Sequence, residues 1–456
     1  MIVYALPMIA SLAGAVLSIV PVLYFEEAIS VAASAAAVVS SAWLLFLPDA
    51  AGSVLFIDGL SKVMLLSVSL IYLSTALYSI TFLKYIENPL FQKRFYYFLL
   101  NAFVLTMLFT VSVANLGLVW VGIEATTVTS ALLVATENDE TAIEASWRYV
   151  IIVSAGLVIS LVANIFLYKA TGTLDIAALQ AARPAGITLS IAILLAIVGY
   201  GTKAGVFPMY TWLPDVHGKA PSPVSGIFSS VLLPVAMYAI MRIIQIAPQG
   251  IARTFALTLG ALTVASAALL MPAQSDYKRL FAYSTIENMG MILIGISVGG
   301  LGLVGALVIL VAHSFAKSSV FFLSGNLLVR YGTTRIDGVR GVASRMPKTG
   351  YTLLFGTLAV TGTPPFGTFV GEVMIVAALF ALHMAALAIV VLLFLALAFL
   401  AVNRQVVQML FSPPDGGSME RGSIGTLVPM IGVALAVVTV AAVPGIYALL
   451  HGGLTP

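Results

Sequence analysis

The sequence predicts an all-α integral membrane protein with about fourteen transmembrane helices, and three observations predict it. The first is composition. Of 456 residues, 61% are hydrophobic and 9% are charged, against about 25% charged in a soluble domain, and mean hydropathy is +1.10. The second is arrangement: apolar stretches close to the roughly 20 residues that a bilayer span needs follow one another along nearly the whole chain. Backbone groups in hydrocarbon must pair within a helix or a closed barrel, and continuous apolar runs favour the helix. The third is the placement of basic residues.

In chain order the predicted helices run 2–24, 27–47, 58–82, 95–113, 114–136, 146–169, 186–208, 222–243, 249–271, 283–299, 302–329, 349–379, 384–402 and 424–450. The first is apolar with no basic flank ahead of it, which reads as a membrane helix and not a cleaved signal. Asn88-Pro89, Ser222-Pro223, Pro272 and Pro413-Pro414-Asp415-Gly416-Gly417 punctuate the loops. The fourth and fifth helices meet at Asn115, and the tenth and eleventh around Gly299–Gly302.

With the N-terminus outside, the odd-numbered loops face the cytoplasm and hold fourteen of the 21 Lys and Arg residues, among them Lys84, Lys219, Lys278, Arg279 and Arg421. The opposite side holds four, Lys169, Arg183, Arg242 and Arg253, and Lys62, Lys203 and Lys317 fall inside helices. That asymmetry is what the positive-inside rule requires, and it puts both termini outside. The chain has no cysteine and four scattered histidines. Disulfides and thiolate-held metal centres are excluded, and no cofactor is expected. The net charge of +3 says little.

Two helices carry breaks. The seventh ends in Gly201-Thr202-Lys203-Ala204-Gly205-Val206-Phe207-Pro208, and the twelfth is interrupted by Gly362-Thr363-Pro364-Pro365-Phe366-Gly367-Thr368-Phe369. They lie five helices apart, so they have opposite senses in the membrane. Paired broken helices in inverted halves point to a transport site.

A charge at mid-bilayer costs about 2.5–3.5 kcal/mol and persists only with a partner or a wet cavity. Four such residues stand out: Glu124 midway along the fifth helix, Lys203 at the first break, Lys317 in the eleventh helix, and Glu372 after the second break. His313 lies one turn before Lys317, on the same face. A carboxylate and a lysine in a low dielectric set each other's affinity for protons, and broken helices free backbone groups to hold water. An imidazole takes up and releases protons near neutrality, so the set reads as a proton relay with His313 as a bridge. The alternatives are structural. Glu124 and Lys203 would form a static ion pair, Lys317 would snorkel, His313 would pack, and Glu372 would be an interfacial carboxylate. Glu287 and Asp58 read as carboxylates near helix starts, serving the helix dipole. His217 reads as a loop residue, structural or near a proton entrance, and Glu144 completes the supporting set. The acidic run Glu137-Asn138-Asp139-Glu140 reads as a solvated loop.

From about Asp58 to Glu372 these segments resemble the antiporter-like membrane subunits shared by respiratory complex I, hydrogenase-4 and related membrane-bound hydrogenases, and Mrp-type sodium/proton antiporters. The stretches that carry it are the Glu of the fifth helix, Gly201–Pro208, Trp212-Leu213-Pro214-Asp215-Val216-His217-Gly218-Lys219-Ala220-Pro221-Ser222-Pro223-Val224-Ser225, Asp276–Gly290, and His313-Ser314-Phe315-Ala316-Lys317. Ile-Glu-Asn-Met-Gly at 286–290 and Gly-Thr-Pro-Pro-Phe-Gly at 362–367 look most like hydrogenase-4 component F. The resemblance implies helices 1–3 over 1–94, inverted five-helix repeats over 95–248 and 249–411, and a loop and last helix over 412–456. It implies that Glu124 and Lys203 form a coupled pair, that Lys317 with His313 is a central relay, and that Glu372 leads to the outer exit.

Two departures stand out. Many complex I members carry a lysine early in the eighth helix, where this chain reads Val231-Leu232-Leu233-Pro234-Val235-Ala236-Met237, and Asn288 stands where hydrogenase-type relatives often have histidine. The chain stops after its fourteenth helix, without the long lateral helix of the largest family subunit. The implied function is a proton-translocating subunit of a membrane redox complex in a prokaryotic cell membrane. Its partners would be further antiporter-like and other membrane subunits, peripheral redox subunits, the lipid bilayer, and protons or sodium, with no nucleic acid. Electron transfer would take place in those partners. A subunit of an Mrp-type antiporter without redox partners is the alternative.

Overall fold

The computed structural model describes residues 2–20, 25–182, 184–246, 250–414, 420 and 422–450. Its helices are α1 (Ile2–Ile19), α2 (Glu26–Leu44), α3 (Gly59–Phe82), α4 (Lys93–Thr110), α5 (Leu116–Val134), α6 (Glu140–Thr171), α7 (Ile176–Ala182), α8 (Ile187–Ala204), α9 (Trp212–Lys219) and α10 (Ser222–Ile227). They continue with α11 (Leu233–Ile246), α12 (Ile251–Leu270), α13 (Tyr277–Val298), α14 (Leu301–Tyr331), α15 (Val342–Arg345), α16 (Pro347–Val360), α17 (Gly367–Ala381), α18 (Ala385–Phe411), α19 (Ile424–Val438) and α20 (Val443–Leu450). The only strands among the described residues are β1 (Ala50–Ala51) and β2 (Phe56–Ile57), an antiparallel pair.

Eleven helical runs among the described residues are long and apolar enough to cross a membrane, or twelve if α19 and α20, bent by 66°, form one span. The predicted fourth helix is α4, whose first turn carries Lys93 and Arg94. The predicted twelfth is two shorter helices, α16 and α17.

Side-chain caps fix where several helices begin. Asp58 accepts from the Ser61 amide ahead of α3, Asn115 from Gly117 ahead of α5, and Asp276 from Arg279 ahead of α13. The split at Asn115 is therefore real, as is the split at Gly299–Gly300, where both residues have positive φ.

Several sequence readings need correction. Residues 213–221, read as a loop, begin as α9. The tenth predicted helix starts at Tyr277 and not 283, because Asp276 caps it and both of its early cations find partners on α9 or just after it. Lys278 donates to Ala220 O, and Arg279 to Asp215 Oδ1. Glu287 is consequently ten residues past the first residue of α13, buried, and not near a helix start. Arg242, placed among the outer helix ends, is fully buried within α11. Asp139 in the acidic run caps α6. Residues 21–24 of the first predicted helix, Arg183, Arg421 and Asp415-Gly416-Gly417 lie outside the described residues.

The burial pattern sorts the helices. Apart from Gln245, the run Ser222–Ile246 is buried throughout, as are nearly all of α13 and the middle of α14, whereas α1 and α18 bury only about a quarter of their most apolar stretches. Leu393 and Leu400 on α18 are 66% and 63% exposed, a surface that only lipid or another apolar helix can cover. α10, α11, α13 and α14 thus form the centre, and that centre carries the polar groups described next.

Candidate functional site

The first polar group sits where α8 ends. Gly205 takes the left-handed conformation (φ +77°) that glycine adopts without strain, and the chain turns through Phe207-Pro208 into α9. Lys203, two residues earlier, has no exposed surface. Its Nζ donates to Thr127 Oγ1 and to Tyr149 OH, both at 2.7 Å, and lies 5.0 Å from the Tyr149 ring centre. Tyr149 OH in turn bonds Ser130 Oγ at 2.7 Å. Trp212 Nε1 donates to Thr202 O, pinning α9 against the break.

Glu124 is on α5, one turn before Thr127. Its Oε1 accepts from Ser154 Oγ at 2.9 Å, while Oε2 is buried without a hydrogen-bond partner. No ion pair joins it to Lys203 within 4.0 Å. It still acts on the lysine through space. The static-pair alternative therefore does not describe this geometry: Thr127 and Tyr149, two neutral hydroxyls, take the ammonium directly.

Between the halves, Phe228–Leu232 forms a π-helical turn joining α10 to α11. Such turns widen the helix and displace carbonyls from its ladder, frequently at functional sites. Here Ser229 O lies 3.3 Å from His313 Nε2, and Ser230 O accepts from Ser314 Oγ at 2.7 Å. The turn occupies the start of the stretch in which the resemblance expects a lysine. Around it the buried Ser230 Oγ, His313 Nδ1 and both ring nitrogens of His217 have no hydrogen-bond partner. His217 is fully buried on α9, stacked on Phe321 with centroids 4.8 Å apart, and feels the charges of Lys317 and Lys278. It is a central residue, not a loop residue at the rim.

Lys317, also fully buried, donates to Phe281 O at 2.7 Å and to Ser284 Oγ. It does not snorkel. The carboxylate acting on it is Glu287, whose Oε2 accepts from Asn288 Nδ2 at 2.7 Å. Asn288 Nδ2 also donates to Val360 O at 3.2 Å, so α13 touches both the lysine and the end of α16 ahead of the second break. Glu372 is 8% exposed and not an interfacial carboxylate. It reaches a cavity of about 550 Å³ walled by apolar residues of α17 and α18.

Two sets of residues lie apart. Glu144 is 60% exposed and paired with Arg148. Both line a surface cavity of about 240 Å³ with Asp215, Lys219, Asp276 and Arg279, away from Lys203. On α3, Asp58 makes a two-pronged ion pair with Arg242, at 2.6 and 2.7 Å. Arg242 lies 5.0 and 4.7 Å from the Phe56 and Tyr238 ring centres. Burial pushes the Asp58 carboxyl up, but the guanidinium charge and its hydrogen bonds outweigh that and hold it below the usual carboxylate range. Asp58 keeps the helix-start role that the sequence suggests.

Tyr149, Thr127, the π turn and the depth of His217 are not singled out by sequence. Only the density of hydroxyl residues on otherwise apolar helices signals them. Among the described residues no group of three or more His, Cys, Asp or Glu side chains converges to hold a metal.

Residues 113–398 match the family described as NADH:quinone oxidoreductase/Mrp antiporter, transmembrane. The hydrogenase-4 component F homolog of Methylacidiphilum infernorum (isolate V4) is 34% identical over 401 residues, covering 83% of this chain and 84% of that protein. Among solved structures, one from the membrane-bound sulfane sulfur reductase, an archaeal respiratory complex, superposes with a TM-score of 0.88 at 23% identity. It covers 98% of this chain and 95% of that one. A chain of respiratory complex I from Thermus thermophilus with bound aureothin gives 0.84 at 23% identity, covering 99% and 100%.

Proposed function

We propose, since the chain belongs to the NADH:quinone oxidoreductase/Mrp antiporter membrane family, that it is a proton-translocating subunit of a multisubunit redox complex. The single observation that carries this is the line of buried ionisable groups. Lys203, His217, His313, Lys317, Glu287 and Glu372 are all buried within a multi-pass membrane fold, and both ring nitrogens of His217 and Nδ1 of His313 lack a protein partner. The four Lys and Glu side chains among them would be stranded charges costing about 2.5–3.5 kcal/mol each at mid-bilayer. A retained cost of that size, with polar atoms that only water can satisfy, fits a hydrated proton path.

In this reading α4 and the α16–α17 pair complete a set of fourteen spans, with inverted repeats over 95–248 and 249–411 flanked by 1–94 and 412–456. Glu124 sets the proton affinity of Lys203, Thr127 and Tyr149 hand its proton inward, and His217 and His313 beside the π turn replace the lysine that many relatives carry. Lys317 passes the proton to Glu287 and Glu372 towards the outer face. The protein lies in a prokaryotic cell membrane with both termini outside. Electron transfer takes place in partner subunits, with no redox cofactor in this one.

A subunit of an Mrp-type sodium/proton antiporter is the second reading, favoured by the family match, whose description names both kinds of complex. The chains that copurify separate the two: nickel–iron hydrogenase or quinone-reductase subunits support the first, small membrane subunits alone the second. The relay itself is tested with the whole complex in sealed vesicles and a pH-sensitive dye. Lys203→Ala in an intact complex loses at least about tenfold of its proton uptake. Unchanged uptake overturns the relay.

A further inference from the structure

One face of α18 changes chemistry along its length. Leu397, Leu400 and Ala401 are followed at helical spacing by Arg404, Gln405 and Gln408, and all six line one cavity of about 450 Å³. Between Leu397 and Gln408 the helix rises roughly 16 Å, so an apolar floor gives way to a cation and two amides over about the depth of one lipid leaflet. The facing wall carries Gln274 and Ser275, which follow α12, and Asp337 from the turn after α14. Arg404 is exposed and has no carboxylate within 4.0 Å among the described residues. Asp337 is taken by Arg335 in a two-pronged pair, so the free charge in the cavity is positive. Gln405 donates through Nε2 to Met271 O and Pro272 O, at 3.3 and 3.5 Å. Carbonyls only accept, which fixes the way the amide points. Its Oε1 is left buried without a donor.

An apolar floor at membrane depth, a free guanidinium above it and an amide oxygen that lacks a donor are the three features of the cavity. We infer that it binds an anionic phospholipid with a hydroxyl-bearing headgroup, of the phosphatidylglycerol kind. An acyl chain lies along Leu397 and Leu400, the phosphate meets Arg404, and a headgroup hydroxyl donates to Gln405 Oε1. A guanidinium matches phosphate oxygens in geometry as well as charge. An ethanolamine or choline lipid would bring a second cation beside Arg404 and find no free carboxylate. Free phosphate would answer Arg404 and leave the leucines bare. An apolar partner helix would cover the leucines and leave Arg404 and Gln405 Oε1 unanswered. In the proposed orientation the cavity opens at the cytoplasmic leaflet, among the loops that hold most of the basic residues, where anionic lipid and basic side chains attract each other.

The site goes beyond the transport reading: it needs the membrane fold and not the relay. Its test is photolabelling of the intact purified complex with phosphatidylglycerol that carries a diazirine in one acyl chain, read as labelled peptide from α18. Phosphatidylethanolamine and phosphatidylmethanol with the same chain serve as comparisons. Phosphatidylglycerol should label residues 397–408. Labelling should fall about fivefold with the ethanolamine lipid and in Arg404→Gln, the share of one basic residue at a membrane surface, and return in Arg404→Lys. Arg404 is exposed, so these replacements leave the packing of α18 intact. Phosphatidylmethanol, which keeps the charge and lacks the hydroxyls, should label less than phosphatidylglycerol; equal labelling by the two overturns the contact to Gln405. Equal labelling by the ethanolamine lipid, or label unchanged in Arg404→Gln, overturns the site. So does absence of α18 label from the native complex, the result that a partner helix over the groove would give. Loss of label on adding inorganic phosphate would make this a site for a free anion and overturn the lipid.

Discussion

At the break after α8, an ammonium is held by neutral oxygens. At the break between α16 and α17, a carboxylate has no cationic partner within 4.0 Å among the described residues. Both use a glycine with positive φ and a proline-containing turn, yet one places Lys203 in the enclosed centre of the protein and the other places Glu372 beside a cavity walled by α17 and α18. The backbone device is shared and the chemistry is opposite. A helix break in a membrane supplies orphan backbone groups, and the side chain nearest to it decides whether the place carries an ammonium or a carboxylate.

The largest effect expected at either break is Lys203→Met, which removes the ammonium at the first. Proton transfer by the intact complex should fall by about 10²–10⁴-fold, the usual share of a positioned acid–base group, as read by dye quenching in vesicles. A loss below twofold would make the two breaks equally passive. Next come the paired glycine changes. Gly362→Ala drives its Cβ into the Glu372 carboxyl group, whereas Gly205→Ala meets the flexible ends of Leu213 and Leu233. Both incur roughly 1–2 kcal/mol of left-handed strain, so equal thermal stability with about tenfold lower transport only in Gly362→Ala would sharpen the contrast. Equal transport in both would erase it.

How much of this was legible in the sequence depends on what each residue does. The helical membrane fold follows from composition together with the length and continuity of the apolar runs. Lys203, Lys317 and Glu372 were visible because a charge inside an apolar run is costly without a partner or water. Glu287 was misplaced because Lys278 and Arg279 look like a loop. In the fold Lys278 turns in to a carbonyl and Arg279 to Asp215, so the helix starts six residues earlier. His217 looked like a loop residue, structural or near a proton entrance, because the charges and prolines around it resemble a loop. Gln405 was invisible, since a single amide acquires meaning only when its partners are known. Glu124 was placed correctly on its helix, but the hydroxyls separating it from Lys203 come from α5 and α6 and leave no shared pattern.

Smaller effects set the background. Asp58→Asn breaks a pair whose arginine is fully buried, and should lower stability by an amount near the lower end of the 3–5 kcal/mol typical of such pairs. Asp58 has a folded-state pKa below its unfolded one, so its contribution is present above the ordinary carboxylate value of 3.8 and is lost as pH falls through the lower folded value. The melting difference between native and Asp58→Asn protein should therefore be constant from neutral pH down to about pH 5 and shrink below 3.8. A difference that instead shrinks on raising the pH would reverse the assignment. The smallest effect is expected of Glu144→Gln. Its pair with Arg148 is exposed, so stability should change by less than about 0.5 kcal/mol and vesicle transport not at all.

The most direct test of a hydrated line joining the two breaks is a cryo-electron microscopy map of the whole complex, sharp enough to show ordered water. Water should bridge Tyr149, both ring nitrogens of His217, Ser230 Oγ and His313 Nδ1 towards Lys317. Side chains closing dry around the two imidazoles, with no density between Tyr149 and Lys317, would contradict it.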